Sequence, residues 1–317
     1  MRRRRAIKVT VVIPTYNAAG FLPETLDSVL AQDHPDLEVV VVDDGSTDET
    51  PRLMESYRDR VRYLRSEASG GPSRPRNTGV AAAGGDCIAL LDADDLMSPG
   101  AISDSLAVMA RHPDVGFVFA NSQVIDEQGA VLDPDYLADY REFRKILVAT
   151  GDPAVGLMSG PRLYHELLRA NFIGTCGVVV RKDVLAGAGP FDETLKNADD
   201  RDMWLRVAMT QTVFAFVDRV HFSYRRRGGS VTRRGWRRMS SVIRMLEKHR
   251  ALATTEEDRK HLDDRINQAR IALAYGLRRE GLLDEAAAGY REAMRGHKSV
   301  TGLLGLVKTH YLKMTSR

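Results

Sequence analysis

A short apolar run that ends abruptly in carboxylates constrains this chain more than any other stretch. Residues 87–91 follow two glycines, lack helical spacing and are succeeded by Asp92, Asp94 and Asp95. We interpret the run as a buried parallel strand whose extended backbone directs Asp92 and Asp94 to one side. In open α/β sheets such strand ends face the ligand crevice, where paired carboxylates suit Mg²⁺ or Mn²⁺ together with substrate phosphates. The alternative is an acidic turn that caps the helix beginning near Pro99.

Apolar runs and amphipathic segments alternate through the first 120 residues. Ser46 or Thr47 is a suitable N-cap for the second helix, with Glu49 in its first turn. This order predicts an α/β fold, a parallel sheet with helices on both faces. We predict strands at residues 9–13, 38–42, 61–64, 87–91 and 115–119, and helices at 23–32, after 46–49, up to 83 and at 99–111.

The second half of the chain alternates less regularly. Residues 126–171 carry scattered glycines and two Asp-Pro pairs, so we interpret them as an insertion that shapes a pocket. From about Arg237 onward the composition is helical, which predicts a C-terminal helical extension over residues 237–317. Between these regions we predict strands at 174–180, 213–217 and 221–224 and a helix at 199–209.

Basic residues are unevenly distributed, although the net charge is only +3. Arg2 to Arg5 form a basic arm within residues 1–6. Basic clusters suit partners that bear phosphate, including nucleotides and an anionic membrane face, and the alternative is a solvated surface. Nucleic acid is set aside because no recognised binding module surrounds the arginines. The second cluster comprises Arg225, Arg226, Arg227, Arg233, Arg234, Arg237 and Arg238.

The cysteines and the N-terminus favour a cytoplasmic protein. Cys87 and Cys176 lie in apolar, strand-like runs, which indicates small core residues rather than a disulfide framework or metal quartet. The N-terminal arginines imitate a signal peptide, but Lys8 interrupts the apolar run and no small-residue cleavage site follows. The basic segment at 303–313 has two interpretations, packing in the core or peripheral contact with the inner membrane face.

Polar groups follow three predicted strands at one expected edge of the sheet. Tyr16 follows the first strand, Asp44 the second, and the aspartate pair the fourth. A tyrosine can stack on a flat base, and a carboxylate accepts a hydrogen bond from a ring N–H such as that of uracil. Arg76, in the loop before the third helix, is suited to a diphosphate. Together these residues predict a nucleoside-diphosphate site.

Four motifs resemble those of the family-2 inverting glycosyltransferases of the GT-A fold. They are VVIPTYN at residues 11–17, VVDDGSTD at 41–48, PRNTG at 75–79 and LDADD at 91–95. They occur in the family's order, and the resemblance covers roughly residues 7–230. It implies a GT-A domain over residues 7–236, with a donor-nucleotide half at 7–120 and an acceptor half at 121–236, followed by the helical extension.

The resemblance also implies a nucleotide-sugar donor, a divalent metal and inversion at the anomeric carbon. We expect the donor to be linked to uridine diphosphate. The family's roles assign Pro14, Tyr16 and Asp44 to the base, Asp92 to the ribose and diphosphate, Asp94 to Mn²⁺ or Mg²⁺, and Arg76 to the vicinity of the phosphates.

A later stretch resembles the family's acceptor-side helix. GPFDE at residues 189–193 precedes DDRDMWLR at 199–206. The resemblance makes Asp200 the general base, since it is second in the usual Glu-Asp pair, while Asp199 replaces the Glu. Adjacent carboxylates, including Asp202, would raise the pKa of this base. We assign Asp199, Asp202 and Trp204 to acceptor contact or support; the alternative is that the acids only complement the helix N-terminus.

One position departs from the family's Tyr-Arg-x-His-x-x-Ser continuation. Arg227 stands where a His that often helps to hold the metal or diphosphate would be. A guanidinium has no acceptor and cannot ligate a cation, but it can pair with the diphosphate and replace part of the metal's charge. We therefore place Arg227 among the donor-binding residues and leave the metal requirement open.

Other functions fit the motifs less well. A dinucleotide-binding dehydrogenase needs Gly-x-Gly-x-x-Gly after its first strand, where this chain has PTYN. A phosphatase would place its Asp-x-Asp after the first strand, and a nucleotidyltransferase has no use for the acidic helix. The alternative that we keep is a nucleotide-sugar-binding scaffold or pseudoenzyme of the same fold, suggested by Arg227 and the helical extension.

The sequence does not specify the sugar, the acceptor or the oligomeric state. Acceptor pockets are built by loops such as 126–171 and 225–240, which carry no code that can be read. Their arginine-rich rim favours a glycan or lipid-linked acceptor that bears phosphate, as in the assembly of cell-surface polysaccharides.

Overall fold

The computed structural model describes residues 7–227, 236, 238–295 and 299–315. These residues form two compact units. One runs to Glu193 and from Asp199 to Arg227; the other comprises Thr194–Ala198 and the residues that follow Arg227. The predicted basic arm at residues 1–6 lies outside the described residues, as do Arg233, Arg234 and Arg237.

The first unit is built on one mixed sheet of 11 strands. They are β1 (Val9–Thr15), β2 (Leu37–Asp43), β3 (Arg62–Arg65), β4 (Cys87–Leu90), β5 (Leu96–Met97), β6 (Val115–Ile125), β7 (Val131–Asp133), β8 (Val148–Ala149), β9 (Val155–Ser159), β10 (Val178–Arg181) and β11 (Val213–Arg225). The main order is β3-β2-β1-β4-β10-β6-β11-β9-β8, with β5 on β11 and β7 on β6. The β3-β2-β1-β4 portion is parallel, whereas β10 is antiparallel to both its neighbours.

Helices alternate with the parallel strands as predicted. They are α1 (Leu22–Leu30), α2 (Thr50–Glu55), α3 (Ser73–Ala82), α4 (Ala101–Arg111), α5 (Arg141–Arg144), α6 (Gly160–Arg169), α7 (Lys182–Ala188) and α8 (Asp199–Ala208). A Cβ on Gly79 of α3 would lie 2.3 Å from Cγ1 of Val12 in β1. Only glycine permits this approach, so the sequence brings α3 and its Arg76 directly against the sheet.

The second half of this unit is more regular than the sequence predicts. Residues 126–171, interpreted as an insertion, contribute β7, β8 and β9 to the sheet and also form α5 and α6. The two strands predicted at 213–217 and 221–224 are one strand, β11, with register shifts between Val217 and Phe222. The strand predicted at 174–180 begins only at Val178. The pairing of β11 with β6 is irregular, and such irregularities interrupt the alternation of apolar and polar residues that identifies a strand in a sequence. The sequence therefore does not show that β11 is one continuous strand.

The second unit is helical, as its composition predicts. Its helices are α9 (Met239–Leu252), α10 (Glu256–Arg279), α11 (Leu283–Ala293) and α12 (Val300–Thr315). The carboxyl side chain of Glu247 in α9 and that of Glu292 in α11 both pair with Arg270 of α10, at N···O distances of 2.7 and 3.1 Å. Among the described residues, no helix has the length and apolar character needed to cross a bilayer.

The last helix does not pack as expected. Core packing of the large apolar side chains at 303–313 was one interpretation of the sequence, but α12 buries Gly302, Gly305 and Thr309 instead. A Cβ on Gly305 would lie 2.4 Å from the ring of Tyr290 in α11, so the small residues allow the two helices to approach closely. Leu303, Leu304, Val307 and Tyr311 are exposed.

Candidate active site

The structure brings the predicted polar strand ends to one edge of the sheet. β1 and β2 end level with each other, with Thr15 opposite Asp43, and β4 pairs in parallel with the other side of β1. Tyr16, Asp44 and Asp92 therefore leave three neighbouring parallel strands at their carboxyl ends. This edge is where ligands bind in open α/β sheets.

The loop after β1 is tied to the loop after β2. Asn17, at φ 48°, accepts hydrogen bonds at its Oδ1 from the backbone N–H groups of Thr47 (2.8 Å) and Asp48 (3.3 Å). In return, the N–H of Asn17 donates to Ser46 Oγ at 2.9 Å. Tyr16 beside this junction is 53% exposed, whereas Pro14 is buried within β1. The fixed backbone leaves the Tyr16 ring accessible to a planar ligand.

Asp44 is buried and holds the loop that leads into α3. Its Oδ1 accepts from the N–H of Ser69 at 2.9 Å, and its Oδ2 accepts from Ser69 Oγ at 2.9 Å and from the N–H of Gly70 at 3.3 Å. The preceding Asp43 is also buried and accepts from Tyr63 Oη at 2.5 Å. Asp44 thus fixes the position of the loop at residues 69–70, and its predicted contact with the base stays a prediction.

Arg76 joins the two halves of the site. Its guanidinium is buried and donates from Nη2 to Asp92 Oδ1 at 2.7 Å and from Nη1 to Asp199 Oδ2 at 2.5 Å. Burial opposes the charge on Arg76, but Asp199 and Asp92 more than offset burial and raise its pKa. The arginine predicted to lie near phosphates therefore connects the end of β4 to the start of α8.

Arg227 pairs with the second aspartate. Its Nε lies 2.6 Å from Oδ2 of Asp94. Burial raises the pKa of Asp94, Arg227 acts against that shift, and Asp92 adds to it. The ring of Phe21 lies under the guanidinium of Arg227, whose Cζ is 5.4 Å from the ring centroid. The sequence placed Asp94 and Arg227 in one site, and the structure brings them into contact.

Arg225 supports this arrangement from inside the unit, and the sequence did not single it out as a site residue. Its N–H donates to Asp95 Oδ1 at 2.8 Å, its Nε to the carbonyl oxygen of Asp94 at 2.9 Å, and its Nη2 to Glu24 Oε2 at 2.6 Å. The signals for Arg225 in the sequence were its place in the basic cluster and its match to the Arg of the family's Tyr-Arg-x-His-x-x-Ser continuation. Nothing marked Glu24, which lies 201 positions earlier.

Asp200 has the properties of a general base. It lies in the first turn of α8, where its Oδ1 accepts from the N–H of Arg201 at 2.7 Å. Burial and the adjacent Asp199 raise the pKa of Asp200 to about 6, with Arg76 opposing them. Arg201 anchors the helix by donating to the carbonyl oxygen of Leu167 in α6 at 2.6 and 2.9 Å. A carboxylate with this pKa is ionised at neutral pH and still accepts a proton readily.

The other acceptor-side residues lie inside the unit. Asp202 is buried and pairs with Arg206 at 2.9 Å. Trp204 is fully buried, with its ring centroid 4.9 Å from that of Phe117. The carboxylate of Asp199 forms an ion pair with the guanidinium of Arg76. In this structure the three side chains predicted for acceptor contact or support make protein contacts that support the helix.

Within the ranges that the structure describes, the aspartate pair and its neighbours do not form a metal centre. In the described part of the chain, no cluster of three or more His, Cys, Asp or Glu side chains is arranged to hold a cation. Each member of the aspartate pair contacts an arginine, Asp92 with Arg76 and Asp94 with Arg227. A guanidinium on each carboxylate supplies positive charge where the family resemblance placed a divalent ion.

The sheet order and the strand-edge site define the GT-A fold of glycosyltransferases. Solved structures share it. TarS of Staphylococcus aureus in complex with UDP-GlcNAc has a TM-score of 0.62 at 18% identity, over 98% of this chain and 93% of that one. The mannosyltransferase PcManGT of Pyrobaculum calidifontis, in complex with GDP-Man and Mn²⁺, has a TM-score of 0.58 at 21% identity, over 98% and 81%.

Residues 10–159 match the family model described as Glycosyl transferase family 2, as the motifs predicted. An uncharacterized glycosyltransferase of Rickettsia typhi is 29% identical over 65% of this chain. One of Nostoc is 32% identical over 59%. The poly(ribitol-phosphate) beta-N-acetylglucosaminyltransferase TarS is 38% identical over 33%. The chain spans 60%, 54% and 19% of the lengths of these three relatives.

Proposed function

We propose that this protein transfers a sugar from a nucleoside-diphosphate sugar to an acceptor hydroxyl, with inversion at the anomeric carbon. The observation that carries the proposal is the bridge made by Arg76. The buried guanidinium ties the donor-side Asp92 to Asp199, which precedes Asp200 in the chain, so it links a donor-side carboxylate to the residue beside a base of raised pKa. The match of residues 10–159 to the model of glycosyl transferase family 2 supports it.

The donor is proposed to bind along the carboxyl edge of β1, β2 and β4. The exposed ring of Tyr16 would stack on the base, with Asp44 fixing the loop beside it. We propose uridine as the base because TarS, which shares the fold, was solved with UDP and with UDP-GlcNAc. PcManGT was solved with GDP-Man, so a guanine nucleotide is the competitor to test.

In the proposed reaction the acceptor oxygen attacks the anomeric carbon as the bond from that carbon to the diphosphate breaks. Asp200 receives the acceptor hydroxyl's proton, and the nucleoside diphosphate leaves with the electron pair of the broken bond. Asp200 must lie on the face of the sugar opposite the diphosphate, which yields inversion. Arg227 would move from Asp94 to the leaving diphosphate or share its charge with both.

The divalent metal implied by the family resemblance is not part of this mechanism. Asp92 and Asp94 each contact an arginine in this protein, whereas PcManGT was solved with Mn²⁺. We propose that Arg227 supplies charge that a metal ion would otherwise supply. A guanidinium offers several N–H donors in a fixed plane and can pair with two phosphate oxygens at once.

We propose an acceptor that bears phosphate, of the kind used in cell-surface polysaccharide assembly. Arg226 is exposed at the end of β11, next to Arg227, and the sequence continues with further arginines. TarS, by its name, acts on poly(ribitol-phosphate), which supports an acceptor of this chemistry. Unchanged transfer to a phosphate-free analogue of an acceptor that works would contradict this part of the proposal.

The test is a donor panel with the wild type and an Asp200→Asn variant. We expect one UDP-sugar to raise the melting temperature and to be hydrolysed slowly without acceptor, and we expect hydrolysis to fall in Asp200→Asn while UDP binding is kept. Binding of a nucleotide sugar with no turnover on any acceptor would favour the alternative, a scaffold or pseudoenzyme, for which the Arg227–Asp94 contact is the supporting observation. Failure of every nucleotide to bind would overturn both.

A further inference from the structure

The last helix presents its large apolar side chains to the outside. Six of them, at spacings of three and four residues, fall within an arc of about 100° and along about 20 Å of α12. They are exposed by 54–75%. The members of this apolar stripe are Val300, Leu303, Leu304, Val307, Tyr311 and Met314.

Small residues on the opposite side fix this orientation. Gly302, Gly305 and Thr309 are buried, and a Cβ on Gly305 would lie 2.4 Å from Cε1 of Tyr290 in α11. Lys313 pairs with Asp284 at the start of α11. Rotating α12 to bury its leucines would drive large side chains into that contact, so the stripe cannot turn inward. Ordinary amphipathic helices bury their large residues, and this one buries its small ones.

We propose that the apolar stripe of α12 docks on a lipid bilayer that carries anionic headgroups. Residues 300–315 include no Asp or Glu, while Lys308 and His310 are exposed on opposite flanks of the stripe. Basic side chains beside a partly inserted apolar face reach the headgroup layer and gain from its negative charge. The stripe spans only one side of a 16-residue helix, which suits a helix lying in the interface plane.

A second copy of the chain is the competing occupant, and the charges disfavour it. A two-fold contact of stripe on stripe places the same surface on both sides. Lys308 and His310 of one copy would then lie near the basic residues of the other copy, because α12 supplies no carboxylate to pair with them. Phospholipid headgroups provide the missing negative charge, so the bilayer satisfies both the apolar and the basic parts of this face.

The experiment is sedimentation of the full-length protein with vesicles of phosphatidylcholine alone or with about 30% phosphatidylglycerol. We expect binding to the anionic vesicles, and a loss of at least about tenfold in Leu304→Glu/Val307→Glu. The matched control is Val131→Glu/Leu132→Glu, which adds two carboxylates at β7 side chains that are 53% and 54% exposed. This control should bind anionic vesicles as the wild type does.

Two results would overturn the proposal. One is a wild type that stays in the supernatant with anionic vesicles, and the other is a Leu304→Glu/Val307→Glu variant that sediments as well as the wild type does. Analytical ultracentrifugation without lipid identifies the competing occupant: a dimer that becomes a monomer in that variant, with no vesicle binding, assigns the stripe to self-association. Circular dichroism of each variant confirms that the helices are retained.

Discussion

Arg227 Nε lies 2.6 Å from Oδ2 of Asp94, the aspartate that the family resemblance assigns to a metal ion. Asp92, two residues earlier, accepts a hydrogen bond from Arg76 Nη2 at 2.7 Å. The aspartate pair of this protein is thus neutralised by two arginines that arrive from different parts of the chain. If the arginines serve the diphosphate directly, nucleotide binding should depend little on divalent ions.

We predict that replacing Arg227 changes the metal dependence of nucleotide binding. In isothermal titration calorimetry, the affinity of the wild type for UDP in EDTA should be within about threefold of its affinity in Mn²⁺. Arg227→His supplies a residue that ligates metals, so its UDP affinity should be at least about tenfold higher in Mn²⁺ than in EDTA. Arg227→Ala should slow turnover at least about tenfold.

Two results would contradict the prediction for Arg227. A wild type that binds UDP only in Mn²⁺ would mean that Arg227 leaves Asp94 and that a metal takes its place. An unchanged turnover rate in Arg227→Ala at saturating metal would remove Arg227 from the site. Because UDP still binds in either case, these results leave the proposed transfer reaction standing.

A second prediction concerns the pH dependence of transfer. The pKa of Asp200 is raised to about 6, so the fraction of ionised base grows as the pH rises through that value. The rate should therefore increase from pH 5 to pH 7 with an apparent pKa near 6, and Asp200→Asn should lower kcat by about 10²-fold or more. Rates across this range, with UDP affinity measured separately, provide the check.

The control for that pH profile is Asp114→Asn, which removes an exposed carboxylate from the same unit. It should keep both the rate and the profile of the wild type. A profile without an inflection near pH 6, or an Asp200→Asn variant that retains wild-type kcat, would show that Asp200 is not the base.

A third prediction tests the bridge made by Arg76. Arg76→Met should lower the free energy of unfolding by about 3 kcal/mol, because Asp199 and Asp92 would lose their common partner and Asp199 is buried. Arg74→Met on the same helix breaks an exposed pair with Glu193 and should cost less than about 1 kcal/mol. Urea unfolding at pH 7 measures the loss of stability in both variants. Equal losses would show that the Arg76 bridge stabilises the protein no more than an exposed ion pair does.

The parts of this site that the sequence predicts are those with local signals. Apolar runs located β1, β2 and β4, and the acids directly after them could be placed at one sheet edge because parallel strands end together. The partners across the site could not be found in this way. Arg76 and Asp199 are 123 positions apart, and Arg225 and Glu24 are 201 apart, so only the packing of α1, α3, α8 and β11 brings them together.

Two further features of the structure could not be predicted from the sequence, for physical reasons. The spacing of apolar residues predicts a helix but does not show which face of the helix is buried. In α12 the face with Gly305 packs against Tyr290, so the leucines on the opposite face stay exposed. Adjacency along the chain suggested that Asp202 would influence Asp200. In the helix Asp202 pairs with Arg206 four residues later, and Asp199 is the carboxylate that raises the pKa of Asp200 most.

The last prediction concerns stability, and it follows from the same raised pKa. The Asp200 carboxyl ionises near pH 3.8 when unfolded and near 6 when folded, so raising the pH across this window favours the unfolded state. Asp200→Asn removes that penalty. Relative to the wild type, its free energy of unfolding should rise between pH 4 and pH 6 by on the order of 2 kcal/mol and stay constant above pH 7. Urea unfolding at several pH values measures this difference in the free energy of unfolding, and for the control Asp114→Asn the difference from the wild type should not change with pH. A difference for Asp200→Asn that is independent of pH would show that folding does not destabilise the ionised Asp200 carboxylate.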